Sequence, residues 1–364
     1  MTQHLYIHIP FCHRICPYCA FFKHTPSDTD MRGFVRAVGE EAKLRLPQGF
    51  TPTTLYFGGG TPSMLSPTHL ETLVVHLREV ADLTKLQEWS FEANPATFTP
   101  AKVEQWLRLG ITRISLGVQS MSSDTLRMLG REHTPEQVRQ SVTILREVGM
   151  PQVNIDLMFS LPGQTPGQWQ DTLERTLELE PNHISTYNLT YEEGTPFHRQ
   201  YGDKMVDEET DAAMFLLTDD LLTSAGFRHY EISNYAKEGC LSLHNLACWQ
   251  GKDYYGLGPG ACATIGHTRY ANAENTPAYI QSLLHGQLPP HESENLSEAD
   301  KRTELLGLWL RTDIPLPAAS LRAEDRAYIE SLCLEGLATY SEEQGLLLTR
   351  KGRLLADEIV VGFM

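Results

Sequence analysis

Hydrophobic positions follow two periods from the start of the chain to about residue 225. Short apolar or alternating runs bounded by glycine, proline or asparagine predict β-strands, and stripes with a spacing of three and four predict helices. Six strands are predicted, at about residues 5–9, 53–57, 89–93, 111–118, 152–160 and 183–190. A helical segment follows each of the first five, and the pattern at 206–225 follows the sixth.

Helix starts are marked by capping residues. The segments 134–137 and 165–168 read Thr-Pro-x-Gln, which combines a capping box with proline in the first turn. Strict alternation of strand and helix with short loops predicts a parallel sheet with right-handed crossovers. Apolar runs such as 155–159 indicate strands that are covered on both faces. An open doubly wound sheet would fit, but six successive units favour an α/β fold of the incomplete (β/α)6 barrel type.

The pattern changes beyond residue 226. Residues 227–233 predict one added strand, and the glycine-rich stretch 254–261 follows it. From residue 296 the order is helix, helix, hairpin, helix, which is typical of a winged-helix-like unit. The predicted division is therefore a barrel at 1–225, an extension at 226–290 and a C-terminal winged-helix-like unit at 291–364, with 286–297 as the most linker-like segment. The mixed, slightly acidic charge of the last unit favours a packing or interaction role over DNA binding.

Composition narrows the class of protein. Charged residues make up 21% and apolar residues 41% of the chain, which is ordinary for a globular protein. The net charge of −16 argues against a partner that is a nucleic acid. An odd total of seven cysteines, four of them scattered, indicates a reducing compartment. Neither a signal peptide nor a run of 18 apolar residues is present, so we expect a cytoplasmic protein, with peripheral membrane contact left open.

Three cysteines stand close together after the first predicted strand. Cys12, Cys16 and Cys19 have spacings of four and three. Thiols gathered so closely in a cytosolic protein usually hold a soft metal, and a zinc site would want four ligands. Three thiolates on a four-iron cluster leave one iron open to a ligand from solution. The alternatives are buried structural thiols, or a zinc site that borrows His13 or His24.

Polar and glycine residues cluster where the predicted strands end. In a barrel these ends share one rim, where active sites lie. The residues expected to meet there are Cys12, Gly59, Glu92, Gln119, Asp156 and Thr190. Glycine at 58–60 allows a ligand to approach the backbone closely, although a triple glycine can simply form a turn. Glu92 is costly to bury unpaired, so it serves a ligand or a structural ion pair. The alternative for Arg131 and Asp156 is a buried salt bridge of the barrel.

An ordered series of motifs resembles one family. The cysteine spacing, with Tyr18 before the third cysteine, is similar to that of the radical S-adenosylmethionine (SAM) superfamily. The branch that it resembles contains oxygen-independent coproporphyrinogen III dehydrogenase and the HemW heme chaperones. Its marks are YIHIPFC at 6–12, GGGTPS at 58–63, FEANP at 91–95, LGVQS at 116–120, NIDLM at 154–158 and LPGQT at 161–165.

The resemblance implies cofactors and their contacts. Cys12, Cys16 and Cys19 would hold a [4Fe–4S] cluster whose open iron is chelated by SAM. The residues implied to contact SAM are Tyr6, Tyr18, Gly59, Gly60, Thr61, Glu92, Gln119, Arg131, Asp156 and Thr190. Thr190 matches an alanine in the dehydrogenase. Such machinery generates an adenosyl radical in the enzymes of the superfamily.

Two features separate the chaperone from the dehydrogenase. Phe21 stands where the dehydrogenase has a further cysteine, and only 11 residues precede Cys12, so its N-terminal lid is expected to be absent. HemW-type proteins carry HNxxYW after the barrel. This chain has His244, Asn245 and Trp249 in that motif, with Cys248 in place of the tyrosine. These four residues are implied heme contacts, with His244 or Cys248 as the axial ligand.

The leading hypothesis is a heme chaperone that binds the cluster, SAM and heme and delivers heme to apo-hemoproteins. A bacterioferritin-like heme donor, contact with a membrane surface and a homodimer are further implied partners. The alternative is an oxygen-independent coproporphyrinogen III dehydrogenase, which removes hydrogen from propionate side chains before decarboxylation. Radical modification of tRNA is disfavoured because the sequence shows no basic surface signal.

Overall fold

The computed structural model describes residues 3–26 and 29–364. The six strands of the first part are β1 His4–Ile9, β2 Thr54–Gly59, β3 Glu88–Ala93, β4 Arg113–Gln119, β5 Gln152–Phe159 and β6 His183–Asn188. Their helices are α1 Met31–Arg45, α2 Pro67–Arg78, α3 Pro100–Leu109, α4 Ser123–Met128, α5 Pro135–Val148, α6 Pro166–Leu177, α7 Pro196–Tyr201 and α8 Glu208–Ser224. The short helices α4 and α7 were not predicted from the pattern.

The second part adds shorter elements. Its strands are β7 Arg228–Glu231, β8 Asn234–Ala236, β9 Tyr254–Leu257, β10 Cys262–Ile265, β11 Thr268–Asn272, β12 His291–Asn295, β13 Ala338–Ser341 and β14 Gly345–Leu348. Its helices are α9 Leu243–Trp249, α10 Thr276–Leu284, α11 Glu298–Trp309, α12 Arg326–Leu334, α13 Arg350–Arg353 and α14 Ala356–Val361. Within the described residues, no helix has the length and apolar character needed to cross a bilayer.

One curved sheet organises the barrel. Its strand order is β12-β11-β10-β9-β1-β2-β3-β4-β5-β6-β8-β7. Neighbouring strands from β1 to β6 are parallel, which confirms the predicted incomplete (β/α)6 architecture. The sheet is extended on one edge by β9, which is parallel to β1, and on the other by the antiparallel β8 and β7. Residues 227–233 thus form part of a hairpin rather than a single strand.

Side chains along the barrel strands alternate between the helix-covered core and the inside of the barrel. Leu5, Ile7 and Ile9 are fully buried in the core that lies under the helices. The intervening Tyr6 and His8 lie on the other face, which lines the inside of the barrel. Asp156 of β5 belongs to this inner face, where it bonds to Ser115 and Asn154. The inner face of β5 is therefore part of a polar lumen, which the apolar run in its sequence did not indicate.

The glycine-rich stretch supports the start of the chain. Gly258 has a φ of 104°, and a Cβ there would lie 2.4 Å from the carbonyl oxygen of His8. A Cβ on Gly256 would lie 1.9 Å from the carbonyl oxygen of Cys262. Only glycine permits these approaches, so the stretch 254–261 is a tightly packed wall beside β1.

The C-terminal unit has its own apolar core, centred on Leu306, Leu316 and Ile329. Its order of helices and hairpin is the one predicted from the sequence. Arg228 forms a bidentate ion pair with Asp313, which joins this unit to β7 of the sheet. The segment predicted as a linker contains β12, which pairs with β11 as an edge of the main sheet. The division at residues 225 and 290 stays a prediction.

Candidate functional site

The cysteine loop leaves the top of β1. Its base is closed because the Cys12 amide donates to the His24 carbonyl at 3.0 Å and the His24 amide donates to the Pro10 carbonyl at 2.8 Å. Cys12, Cys16 and Cys19 are free, half-buried thiols. Burial raises the pKa of the Cys12 thiol, and the Thr61 hydroxyl, 3.5 Å from its sulfur, partly offsets this.

Side chains from four elements form a ring around the loop. Asn94 donates to the Thr61 hydroxyl at 3.0 Å. One terminal nitrogen of Arg131 donates to the Asn94 amide oxygen at 2.5 Å, and the other lies 3.5 Å from the Cys16 sulfur. With the contact between Thr61 and Cys12, this arrangement links two of the cysteines through neutral and cationic donors.

Arg131 is the cation of this ring. It also donates to the Gly117 carbonyl at 2.6 Å, while its Nε is buried without a partner. Burial and the Arg131 charge lower the pKa of the neighbouring His133 to about 4, so that imidazole is neutral at physiological pH. Arg131 does not pair with Asp156 in the described structure, so the alternative of a buried salt bridge between them is wrong.

The donor set suits an iron–sulfur cluster. A cavity of about 480 Å³ opens against Cys16, Thr61, Asn94 and Arg131. Among the residues that the structure describes, no three His, Cys, Asp or Glu side chains converge as ligands of one metal ion. Thiolates of a four-iron cluster bind separate irons, so they need not converge on one point. Three thiols beside a buried cation fit such an anionic group.

The zinc alternative does not fit. His13 donates from Nδ1 to the Glu132 carboxylate at 3.1 Å, at the surface. His24 is held between the Thr25 carbonyl at 2.9 Å and the Thr276 hydroxyl at 2.8 Å. Both nitrogens of His24 are thus bonded elsewhere, and His13 pairs with Glu132 at the surface. Neither imidazole forms a metal-binding group with the three thiols among the described residues.

Glycines 58–60 pack against protein atoms. Gly59 has a φ of 106°, and a Cβ there would lie 2.4 Å from the His8 ring. A Cβ on Gly60 would lie 2.7 Å from the Phe11 carbonyl oxygen, at the base of the cysteine loop. These positions require glycine in order to seat the loop on the barrel. The close approach of a ligand to this backbone, which the sequence suggests, stays a prediction beside these contacts.

Glu92 lies at the top of the lumen. It accepts hydrogen bonds from the Tyr56 hydroxyl at 2.9 Å and the Gly59 amide at 3.1 Å. No ion pair to Glu92 occurs among the described residues, so the alternative of a structural salt bridge is not realised. Burial raises the pKa of Glu92 to about 7, and the nearby Asp156 adds to the effect. The carboxyl group is therefore placed to receive a cationic ligand.

The remaining predicted contacts lie along the lumen and at the strand ends near the cysteine loop. The Tyr6 hydroxyl donates to His8 Nδ1 at 3.1 Å, since His8 Nε2 donates to the Phe22 carbonyl at 2.8 Å. Asp156 accepts from Ser115 at 2.9 Å, and burial raises its pKa. Gln119 has a φ of 68°, a strained conformation of the kind that collects at functional rims. Thr190 is exposed just beyond β6. Burial raises the pKa of Tyr18, which lies within the cysteine loop.

We expect Glu92→Gln to stabilise the ligand-free protein at alkaline pH. The folded-state pKa of about 7 lies above the ordinary 4.5, so the wild-type free energy of unfolding falls as pH rises between these values. The variant carries no titrating group there. At about pH 8 its advantage should be about 1–3 kcal/mol, and at about pH 4.5 it should vanish. Urea unfolding at both pH values measures it; an advantage that does not change with pH contradicts the assignment.

The motif around His244 lies at the opposite end of the barrel. His244 is buried, and its Nδ1 shares a 2.8 Å hydrogen bond with Thr54 at the start of β2. Its amide donates to the Glu88 carboxylate at 3.1 Å, as does the Leu243 amide at 2.8 Å, so Glu88 caps α9. Burial lowers the pKa of His244 to about 3 and raises that of Cys248 to about 12. Asn245 and Trp249 share this helix.

Two residues of the site carried no sequence-based assignment. Asn94 completes the ring between Thr61 and Arg131. Tyr56 bonds to Glu92, and its ring centroid lies 5.2 Å from that of His244, so it bridges the two ends of the lumen. The position of Asn94 directly after a strand was the available signal. Tyr56 gave none beyond its alternation with apolar neighbours.

Comparison with known proteins fits this geometry. Residues 6–176 match the Radical SAM superfamily. The heme chaperone HemW of Mycobacterium tuberculosis is 34% identical over 98% of this chain and 93% of its own length. This chain is a member of the HemN-like branch of the radical SAM superfamily.

Further relatives place the chain within that branch. The heme chaperone HemW of Bacillus subtilis is 31% identical over 99% of this chain and 98% of its own length. The structure of coproporphyrinogen III oxidase (HemN) from Escherichia coli, a radical SAM enzyme, superposes with a TM-score of 0.85 at 26% identity, covering 100% of this chain and 90% of that one. The branch and the fold expected from the motifs are thereby confirmed.

Proposed function

We propose that this chain is a heme chaperone, which binds a [4Fe–4S] cluster, SAM and heme and delivers heme to apo-hemoproteins. The observation that carries the proposal is the match to the HemW of M. tuberculosis, which extends over 93% of that protein. The match therefore includes the C-terminal unit as well as the barrel. A bacterioferritin-like donor, a membrane surface and a second copy of the chain are further proposed partners.

The upper end of the barrel would hold the first two groups. Cys12, Cys16 and Cys19 would bind the cluster next to Arg131, whose unpartnered Nε is available to an anion. Glu92 and Asp156 are two acceptors that form no ion pair among the described residues, as the amine and sulfonium of SAM require. Gly59, Gly60, Thr61, Tyr6, Tyr18, Gln119 and Thr190 complete this proposed pocket. The bound groups together would supply one-electron chemistry there.

The lower end is the proposed heme site. The low pKa of His244, about 3, keeps its imidazole neutral, and the neutral form is the one that ligates iron. Cys248 has a pKa raised to about 12, so binding through its sulfur would require loss of a proton that the site otherwise retains. His244 is therefore the proposed axial ligand, with Asn245 and Trp249 beside it on α9.

A dehydrogenase acting on coproporphyrinogen III is the second candidate. The TM-score of 0.85 with the E. coli enzyme favours it, as does a lumen that keeps its polar lining. Phe21 opposes it, because this side chain is 71% exposed on the cysteine loop where the sequence of the dehydrogenase has a further cysteine.

One anaerobic experiment separates the candidates. The protein is reconstituted with iron and sulfide, then divided between a heme titration and a turnover assay with coproporphyrinogen III, SAM and a reductant. We expect about one heme per chain and no protoporphyrinogen. Catalytic decarboxylation would refute the chaperone. For the ligand, His244→Ala should weaken heme binding at least about tenfold, while Cys248→Ser should retain it; the reverse would assign the sulfur.

A further inference from the structure

The cysteine loop has an anchor on the far side of the barrel. The Phe197 amide donates to the Pro17 carbonyl at 3.0 Å. Phe197 is the second residue of α7, where the first amides of a helix lack partners within the helix. The bond therefore satisfies both a helix end and the loop. In the described part of the chain, no other backbone amide from outside the loop donates to residues 13–21.

An apolar cluster fixes the same contact. Phe197 is 2% exposed, and its ring lies 5.8 Å from that of Tyr191 and 6.4 Å, edge-on, from that of Tyr18. Leu129, Met158, Leu161 and Leu189 complete this group, which we call the rim cluster and which is separate from the main core. Gly130 supports Pro17 from another direction, since a Cβ there would lie 2.7 Å from the Pro17 ring.

The anchored segment carries two of the three thiols. Pro17 and Tyr18 lie between Cys16 and Cys19, and the Cys19 amide bonds back to the Cys16 carbonyl at 3.2 Å. A shift of Pro17 therefore moves both sulfurs relative to Cys12, which is held separately at the base of the loop and by Thr61. Leu189 and Tyr191 of the rim cluster flank Thr190. The segment after β6 therefore connects the rim of the lumen to the cysteine loop.

We infer that Phe197 is a positioning residue for the iron–sulfur cluster: it sets the spacing of Cys16 and Cys19 through Pro17. The inference rests on the proposed binding of the cluster. Truncation of the ring leaves a cavity beneath Tyr18 and loosens the segment that carries two ligands. Partners that orient metal ligands typically contribute 10–100-fold to metal retention.

The test compares Phe197→Ala with Phe227→Ala. Phe227 is 5% exposed in the main core, so its truncation also costs stability but lies apart from the loop. In the reconstituted protein, Phe197→Ala should lose iron to a chelator about tenfold faster than wild type, with an altered EPR line shape and midpoint potential. Phe227→Ala should leave all three unchanged. Phe197→Leu, which keeps an apolar side chain against Tyr18, should return to within about twofold of wild type.

The outcomes distinguish failure of the proposed cluster binding from failure of the proposed role of Phe197. A wild-type protein that holds no cluster would refute the proposed function and this inference together. A wild-type cluster whose EPR signal, potential and rate of loss are the same in a folded Phe197→Ala variant would overturn the inference alone. If Phe197→Ala does not fold, the smaller truncation Phe197→Val carries the test. This variant should then lose iron faster than Phe197→Leu, but less than about tenfold faster than wild type. A wild-type rate again overturns the inference.

Discussion

Replacement of Cys16 by alanine is expected to remove the iron–sulfur cluster. Each thiolate would hold one iron of the proposed cluster, and the loop offers no fourth cysteine to substitute, because the next position of the related enzyme pattern is Phe21. Iron content after anaerobic reconstitution should fall from about four per chain to near zero, with loss of the visible absorption band. Loss of Cys16 also removes the sulfur that lies 3.5 Å from Arg131.

Cys333→Ala is the matched control. Cys333 is half-buried against the core of the C-terminal unit, so its removal deletes a thiol of similar exposure far from the loop. It should retain full iron content. If Cys16→Ala keeps a complete cluster spectrum, the metal assignment is wrong. Serine at position 16 is a further check, because a hydroxyl is a poor ligand for soft iron sites.

The second large effect is expected at Arg131. One of its terminal nitrogens is already engaged by Asn94 and Gly117, so the unpartnered Nε and the terminal nitrogen beside Cys16 are the donors left for a ligand. The carboxylate of SAM would accept from these donors, and hydrogen bonds to charged groups contribute about 1.5–3 kcal/mol each. Arg131→Ala should therefore weaken SAM binding at least about 100-fold, as measured by equilibrium dialysis with the reconstituted protein.

Two variants bracket that result. Arg131→Lys keeps the positive charge but lacks the planar guanidinium and its Nε donor, so it should recover only part of the affinity for SAM. Arg127→Ala removes an arginine that pairs with Asp124 at the surface, and it should bind SAM like wild type. Unchanged affinity in a folded Arg131→Ala would show that this guanidinium does not bind SAM and serves only its contacts within the protein, such as those with Asn94 and Gly117. The iron content of each variant must be measured, because Arg131 also contacts Cys16.

A series of side-chain contacts runs through the lumen between the two proposed binding ends. Glu92 lies at the cluster end and bonds to Tyr56, whose ring lies against His244 at the other end. The Thr54 hydroxyl lies 2.8 Å from His244 Nδ1 and 2.9 Å from His4 Nδ1, so it links the two imidazoles. Such a polar interior distinguishes this barrel from one filled by branched apolar side chains.

Local patterns in the sequence determined the barrel. Strand and helix periods, proline in the first helical turn and the capping residues Thr134 and Thr165 act over a few neighbours, so they can be read without the fold. The cysteine loop was equally legible, since Cys12, Cys16 and Cys19 lie within one short segment. The motif order then placed the chain in its branch.

Only the tertiary structure decided the contacts between distant segments. Asn94 joins the ring because β3 ends beside the loop of Thr61 and the loop of Arg131. His244 occupies the end of the barrel opposite the cysteines because Glu88, 156 residues away, caps its helix. Gly59 and Gly60 are required by contacts with the His8 ring and the Phe11 backbone, which local sequence did not reveal. Each of these depends on which strand ends are neighbours, and the sequence by itself carries periodicity and caps but no distances across the sheet.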